Sequence, residues 1–343
     1  MRILIVGMLL VLPAASLSMA GVPVSFQTGE SYVDVTIGSQ RVARYIFDSN
    51  LPKPSLVNVT SLGGREVTRR WPLTELAGGS MDHHHHVGIF FCVDRVNGTN
   101  FWNYYRNPDG EAPKIRHVRF DRIEGSDRHE GAYGVIEATS HWIDKHGEFL
   151  LEEKRTMTVG GEPSEGICSI DLIIDLTAQR EVVFEDIEEG VLGIRLSDYL
   201  RETNTGVLPS REAEIPNEDV LGTGRYFSST GQETAKNIWG KRHRWVAIQG
   251  VRDGKVVGVA VFDHPDSINH PTYWHVRNYG LLSVNPLGQG DFQRQQKDRK
   301  NPVKPFRLTL EKGQTAHLRY MVVMFDGVRT EADIENWYRH YAR

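Results

Sequence analysis

From Cys168 to Leu176 the chain alternates strictly for most of its course: Cys168, Ile170, Leu172, Ile174 and Leu176 fall on one side of an extended backbone, and Ser169, Asp171 and Asp175 on the other. A period of two sends the apolar set into a core and leaves the polar set in water, with one mismatch at Ile173. Similar runs, rich in Val, Ile, Phe, Tyr and Thr, recur at 32–37, 41–47, 88–94, 114–123, 134–142, 149–159, 245–251, 255–262 and 316–325. Turn residues separate them. Asp253-Gly254 and Asp144-Lys145-His146-Gly147 join neighbouring runs as hairpins, so the pairing is antiparallel at least locally. The pattern predicts an all-β fold, a large antiparallel β-sandwich over residues 21–343 as a single domain. One helix is legible at the C-terminus: Thr330 caps it, Glu331 and Asp333 occupy its first turn, and Ile334, Trp337, Tyr338 and Tyr341 recur at helical spacing.

Residues 1–20 read as a secretory signal, with Arg2 as a minimal basic region, an apolar stretch over 3–12 and Ser18-Met19-Ala20 as the cleavage site. The expected location is secreted or periplasmic. No later segment reaches the 18 or so apolar residues a spanning helix needs. Net charge is −4 with the signs interspersed, and no basic stripe appears. That argues against nucleic acid as a partner. The run Lys297-Asp298-Arg299-Lys300 reads as a solvated loop, and the polar stretch 200–239 as long loops over the sheet. The two cysteines, Cys92 and Cys168, are either one bridge formed in an oxidising compartment or two buried thiols.

Chemistry concentrates in histidines. Asp82-His83-His84-His85-His86 leads into a core strand, and in extended geometry His83 and His85 share one face while His84 and His86 share the other. A pair of imidazoles supplies an acid or base near neutral pH, or part of a transition-metal site. A second group runs Asp263-His264-Pro265, Asn269-His270-Pro271 and Trp274-His275-Val276-Arg277, where His275 and Arg277 have matching strand parity. An acidic run, Glu185-Asp186-Ile187-Glu188-Glu189, raises its own carboxyl pKa values, and Glu189 is the candidate acid or base within it. Further candidates are His117, His141, Lys241 and the aromatics Trp102, Tyr104 and Tyr105, which suit either sugar stacking or a β core. The chain contains no GxSxG elbow, P-loop, dinucleotide fingerprint or HExxH, so the usual hydrolase, kinase, dehydrogenase and zincin readings lose their main support.

Several of these blocks together resemble the PmoA-like family of bacterial proteins: Asp82 to Phe91 with Val96-Asn97-Gly98 and Phe101-Trp102, Asp186 to Arg195, Trp239-Gly240-Lys241-Arg242, Phe262 to Pro265, and Trp274 to Leu281 running to Asn285-Pro286. The family's first block usually reads Asp-His-Pro-His-His-Arg-Gly. Here His84 takes the proline position and Val87 the arginine position, so the resemblance favours His83, His85 and His86 over His84. It also implies an architecture similar to the mutarotase-like supersandwich, and so a carbohydrate setting.

The leading expectation is an exported carbohydrate-active enzyme of epimerase or lyase type acting on a sugar or oligosaccharide. His83, His85, His86, His275 and Glu189 are its catalytic candidates, and Lys241, Arg277, Trp102, Trp274, Asn285 and His141 its substrate-binding ones. The rivals are a metalloprotein holding a divalent transition metal on His83, His85, His264 and His275, and a noncatalytic glycan-binding protein.

Overall fold

The computed structural model describes residues 22–104, 113–126, 133–202, 221–296 and 303–343. The signal stretch, Tyr105, the 297–300 run and the centre of the 200–239 stretch lie outside the described residues. Two eight-stranded antiparallel sheets dominate. The first runs in the order Val24–Thr28, Tyr32–Ile37, Gln40–Ile46, Ser55–Val57, Ile89–Phe91, Leu192–Arg195, Leu281–Asn285 and Tyr273–Arg277. The second runs Arg225–Ser228, Trp245–Arg252, Lys255–Asp263, Thr315–Asp326, Ile167–Ala178, Phe149–Glu162, Tyr133–Ile143 and Lys114–Glu124.

The expected all-β sandwich is therefore present, and the alternating pattern explains how it closes. Ile170, Leu172, Ile174 and Leu176 are buried in one continuous core with Val33, Val35 and Ile37 of the first sheet. Across the same core Phe91 meets the edge of Trp142, with ring centroids 6.1 Å apart. Both expected hairpin turns form, and Asp253 and Gly254 adopt φ of 50° and 69°, as a tight two-residue hairpin requires.

The outer face of the second sheet is covered by the C-terminal helix Glu331–Tyr341. Thr330 and Asp333 form a reciprocal capping box, which satisfies two backbone donors at the helix start. Ile334, Tyr338 and Tyr341 then pack on Trp245, Phe262 and Phe325. Two shorter helices, Ala235–Ile238 and Gln289–Gln296, carry too few periodic apolar positions to be read from sequence. Among the described residues no helix is long and apolar enough to cross a membrane, which says nothing of a β-barrel. Cys92 and Cys168 are both free and buried, so the bridge does not form. Burial pushes their thiols up to about 11 and about 12.

Candidate functional site

Residues directly opposite in an antiparallel pair share a face. The register of the last four strands of the first sheet therefore puts Phe90, Gly193, Ser283 and His275 in one row, and Arg195, Leu281 and Arg277 in the next. This face is opposite to the one carrying Trp274 and Val276, which join the core. Gly193 keeps the row open for Phe90, because a Cβ there would lie 2.5 Å from Phe90 Cζ.

The histidine run covers this face as a turn. His83 takes a left-handed φ of 44°, and the His86 N–H donates to the His83 carbonyl at 3.0 Å. The expected extended geometry, which would have split the imidazoles between two faces, is thus replaced by convergence. The His83 ring stacks on His86 at 4.9 Å and on Tyr279 at 4.8 Å, while His85 stands edge-on to His86 at 4.3 Å. His84 turns out to solvent beside Trp71.

Asp82 organises the turn from below. Its Oδ1 accepts from Arg69 Nη1 at 2.7 Å and Arg195 Nη2 at 2.6 Å, and its Oδ2 meets His83 Nδ1 at 2.5 Å. Arg69 also holds the Asp82 and His83 carbonyls, at 2.9 and 3.1 Å. Burial alone would raise the Asp82 carboxyl, but the His83 hydrogen bond and the Arg195 and Arg69 charges together hold it well below the usual carboxylate range. A carboxylate on Nδ1 selects the tautomer that leaves Nε2 as the free basic nitrogen.

The acidic run forms the adjoining wall. Asn285 donates to the carbonyls of Ile187 and Glu188 at 2.9 and 2.7 Å, and its own oxygen accepts from the Leu287 N–H at 2.9 Å. Asp186 accepts from the N–H groups of Gly290, Asp291 and Phe306, tying the run to the helix Gln289–Gln296. Glu188 pairs with Arg277 Nη2 at 3.2 Å, and Arg277 Nε donates to His275 Nε2 at 2.9 Å. Glu189 has a weaker partner, Asn103 Nδ2 at 3.4 Å. Burial, with the Asp94 and Glu188 charges, pushes the Glu189 carboxyl up to about 7. These groups form one electrostatic neighbourhood, since Arg277 acts on Glu189, His275 and Tyr279, and His83 acts on His275.

Three of the other imidazoles are unsuited to proton exchange near neutral pH. Burial, with nearby cations, pulls His85 and His275 down to about 3, so both are neutral. His86 is also driven far down by burial, and it lies between His83 and Phe90 at ring distances of 4.9 and 5.6 Å.

Of the other expected site residues, some sit elsewhere and some only support the cluster, Trp102 packing edge-on to His86 at 5.6 Å. Trp274 is core, and its indole donates to the His243 carbonyl at 2.8 Å, because strand parity turns it away from His275. Trp102 is 1% exposed, with no face open for stacking. The same parity places His141 on the far side of its strand from the buried Trp142, against Phe149 at 4.1 Å. Lys241 is exposed and donates to Gln232 at 3.3 Å. Asn285 has its amide groups committed to backbone, which makes it a positioning residue. His264 packs edge-on to Tyr341 at 4.9 Å and meets Arg319 Nη1 at 3.3 Å, beside the C-terminal helix. The proposed metal quartet therefore does not assemble, and among the described residues no three His, Cys, Asp or Glu side chains are grouped to hold a metal ion. His117 is an aromatic packing residue against Phe47 and Phe120.

The structure adds Asp82, Arg69, Arg195, Tyr279 and Lys53 to the site. Lys53 is 3% exposed; its Nζ donates to the carbonyls of Trp102 at 2.9 Å and Tyr104 at 3.4 Å, holding the loop that presents Asn103.

The fold and site define the class: an antiparallel β-sandwich bearing a histidine–carboxylate cluster on the outer face of one sheet. Residues 32–339 match a family of unknown function, DUF6807, and the chain belongs to it. No curated protein matches the chain. Among solved structures it is similar to an α-galactosidase from Lactobacillus brevis, with 8% identity and a TM-score of 0.36, covering 88% of this chain and 39% of that one. An α-galactosidase from Geobacillus stearothermophilus gives 10% identity and a TM-score of 0.32, covering 89% and 41%. A galactose mutarotase related enzyme from Lactobacillus acidophilus gives 8% identity and a TM-score of 0.31, covering 90% and 100%. The chain thus spans about two fifths of the two α-galactosidases. Superposition at this level leaves the chemistry of the site to its own residues.

Proposed function

We propose that this protein is an exported carbohydrate-active enzyme that works by proton transfer, as an epimerase or a lyase. The observation that carries the reading is the pairing, in one cluster, of a buried carboxyl raised to about 7 with a histidine oriented by a carboxylate. Groups whose surroundings set them apart in this way take opposite roles in acid–base catalysis. His83 Nε2 is the base that removes a proton from a carbon next to a carbonyl or carboxylate. Glu189 is the acid. In elimination the C–H electrons form a C=C bond as the C–O bond breaks, and Glu189 protonates the departing oxygen. In epimerisation Glu189 instead returns a proton to the opposite face of the same carbon. Arg277, oriented by the neutral His275 that accepts from its Nε, stabilises the negative charge that develops between these steps.

Carbohydrate is favoured over other carbon acids because polar and aromatic groups meet at this face: Asn103 and Tyr104 on one loop, and a partly exposed Trp239 beneath Arg277. The test is a sugar and oligosaccharide panel read by ultraviolet absorbance for unsaturated product and by NMR for C–H exchange with deuterated solvent. The reading expects one signal or the other, lost in both Glu189→Gln and His83→Ala. Silence across the panel, or full activity in both variants, contradicts it. N-terminal sequencing of protein recovered from the export fraction tests the leader, with a start near Gly21 expected.

A further inference from the structure

Beside the cluster lies a cleft of about 360 Å³, lined by Glu202, Lys236, Trp239, Arg277 and Asn278 among others. That volume falls within the range of small-ligand sites. Arg277 belongs to both places. Its Nε and Nη2 are engaged with His275 and Glu188, while its guanidinium lies 5.2 Å from the centroid of the Trp239 ring. Among the described residues its Nη1 takes no hydrogen bond. Lys236, on the short helix Ala235–Ile238, is exposed and makes no ion pair among the described residues. Among the described residues the one carboxylate in the lining, Glu202, accepts with both oxygens from the Ala235 N–H, at 3.2 and 3.1 Å.

Among the described residues the cleft therefore presents a partly exposed indole, the unbonded Nη1 of an arginine whose other nitrogens hold His275 and Glu188, and an ammonium, with the Glu202 carboxylate committed to backbone. An aromatic face suits the apolar side of a sugar ring. A guanidinium and an ammonium together suit a carboxylate.

We infer that this cleft is a second subsite, resting on the carbohydrate reading above, and that it takes a sugar residue bearing a carboxylate. The ligand is then an acidic oligosaccharide of at least two residues, one over the histidine cluster and one on Trp239. A uronic acid also fits the neighbouring chemistry, because its carboxylate acidifies the adjacent C–H that His83 attacks.

The experiment is calorimetric titration of the intact protein with dimers and tetramers of galacturonan, alginate and glucuronan, each paired with its carboxyl-reduced neutral counterpart. At least one acidic series is expected to bind, with the reduced counterpart about tenfold weaker or more, a difference of about 1.4 kcal/mol. Lys236→Glu, an exposed substitution, is expected to weaken the acidic probe by a similar factor at unchanged thermal stability; Trp239→Ala is expected to weaken both series. Neutral counterparts binding as tightly as the acidic ones, or Lys236→Glu without effect on binding, overturns the acidic subsite while leaving the carbohydrate reading in place. Failure of every acidic and neutral oligosaccharide to bind overturns both.

Discussion

Replacing Asp82 by Asn keeps the side chain's shape and removes one charge and one acceptor oxygen from the middle of the site. The side chains left behind, Arg69 and Arg195, are 3% and 0% exposed, and both donate to Asp82 Oδ1. Asp198 also favours the Arg69 charge but replaces Asp82 only in part, being held by the Ser80 hydroxyl at 2.6 Å and by Arg201 Nε at 3.3 Å. Removing one partner of a buried ion pair costs about 3–5 kcal/mol, since the other charge is left uncompensated. The Asn oxygen still accepts one hydrogen bond, which favours the lower end. With an unfolding entropy of about 2.1 cal/mol/K per residue, a chain of this size loses about 1.5 °C of Tm per kcal/mol, so Tm should fall by about 4–7 °C. Circular dichroism melts and urea titrations at pH 7 measure it. The pH dependence adds a second signature. Asp82 titrates lower in the folded than in the unfolded protein, so its stabilisation is complete above the unfolded carboxyl pKa of about 3.9 and is lost as pH falls toward the folded value. The gap between parent and variant should hold steady above about pH 5 and close in acid. A variant melting within about 1 °C of the parent at pH 7 would refute the argument that Asp82 is the charge on which the two buried guanidinium groups depend.

Gly193→Ala forces a methyl group against the Phe90 ring and should destabilise by about 1–3 kcal/mol, the usual penalty of overpacking, read from urea midpoints; a neutral result would mean the strand row is not closely packed. Asn285→Ala strips hydrogen bonds from the Ile187 and Glu188 carbonyls and should lower stability by about 1–3 kcal/mol, with faster amide exchange confined to the 186–190 run. Unchanged exchange there would remove Asn285 from its positioning role. Cys92 and Cys168 should resist a thiol reagent in the native protein and yield two titratable thiols on unfolding without reductant. Fewer than two would mean a disulfide had formed.

Much of the fold was legible because alternation is a local signal. The strand from Ile167 to Ala178 extends the 168–176 reading by one residue before and two after, and the Thr330 cap stands where its Ser/Thr-type chemistry predicts. The cluster was only half legible. His83, His85, His86, Glu189, His275 and Arg277 announce themselves by residue type, yet what sets their properties is remote. Arg69 and Arg195 meet Asp82 across 13 and 113 residues of chain, and a buried ion pair leaves no periodic trace in sequence. The turn of the histidine run is not legible for a related reason: the left-handed φ at His83 goes with Arg69 holding its carbonyl, a tertiary contact that local pattern does not carry. Strand parity, applied to Trp274 and His141 as it was to His275 and Arg277, would have excluded both from the site.

The claim on which the functional account rests is that Glu189 titrates near neutral pH, well above the ordinary carboxylate range. Carbon-13 NMR titration of the glutamate carboxyls, with Glu189→Gln to assign the resonance, measures this directly. The account predicts a midpoint near 7, where burial and the Asp94 and Glu188 charges place it. A midpoint below about 5, in the ordinary carboxylate range, would make Glu189 an ionised surface group and contradict its role as the acid.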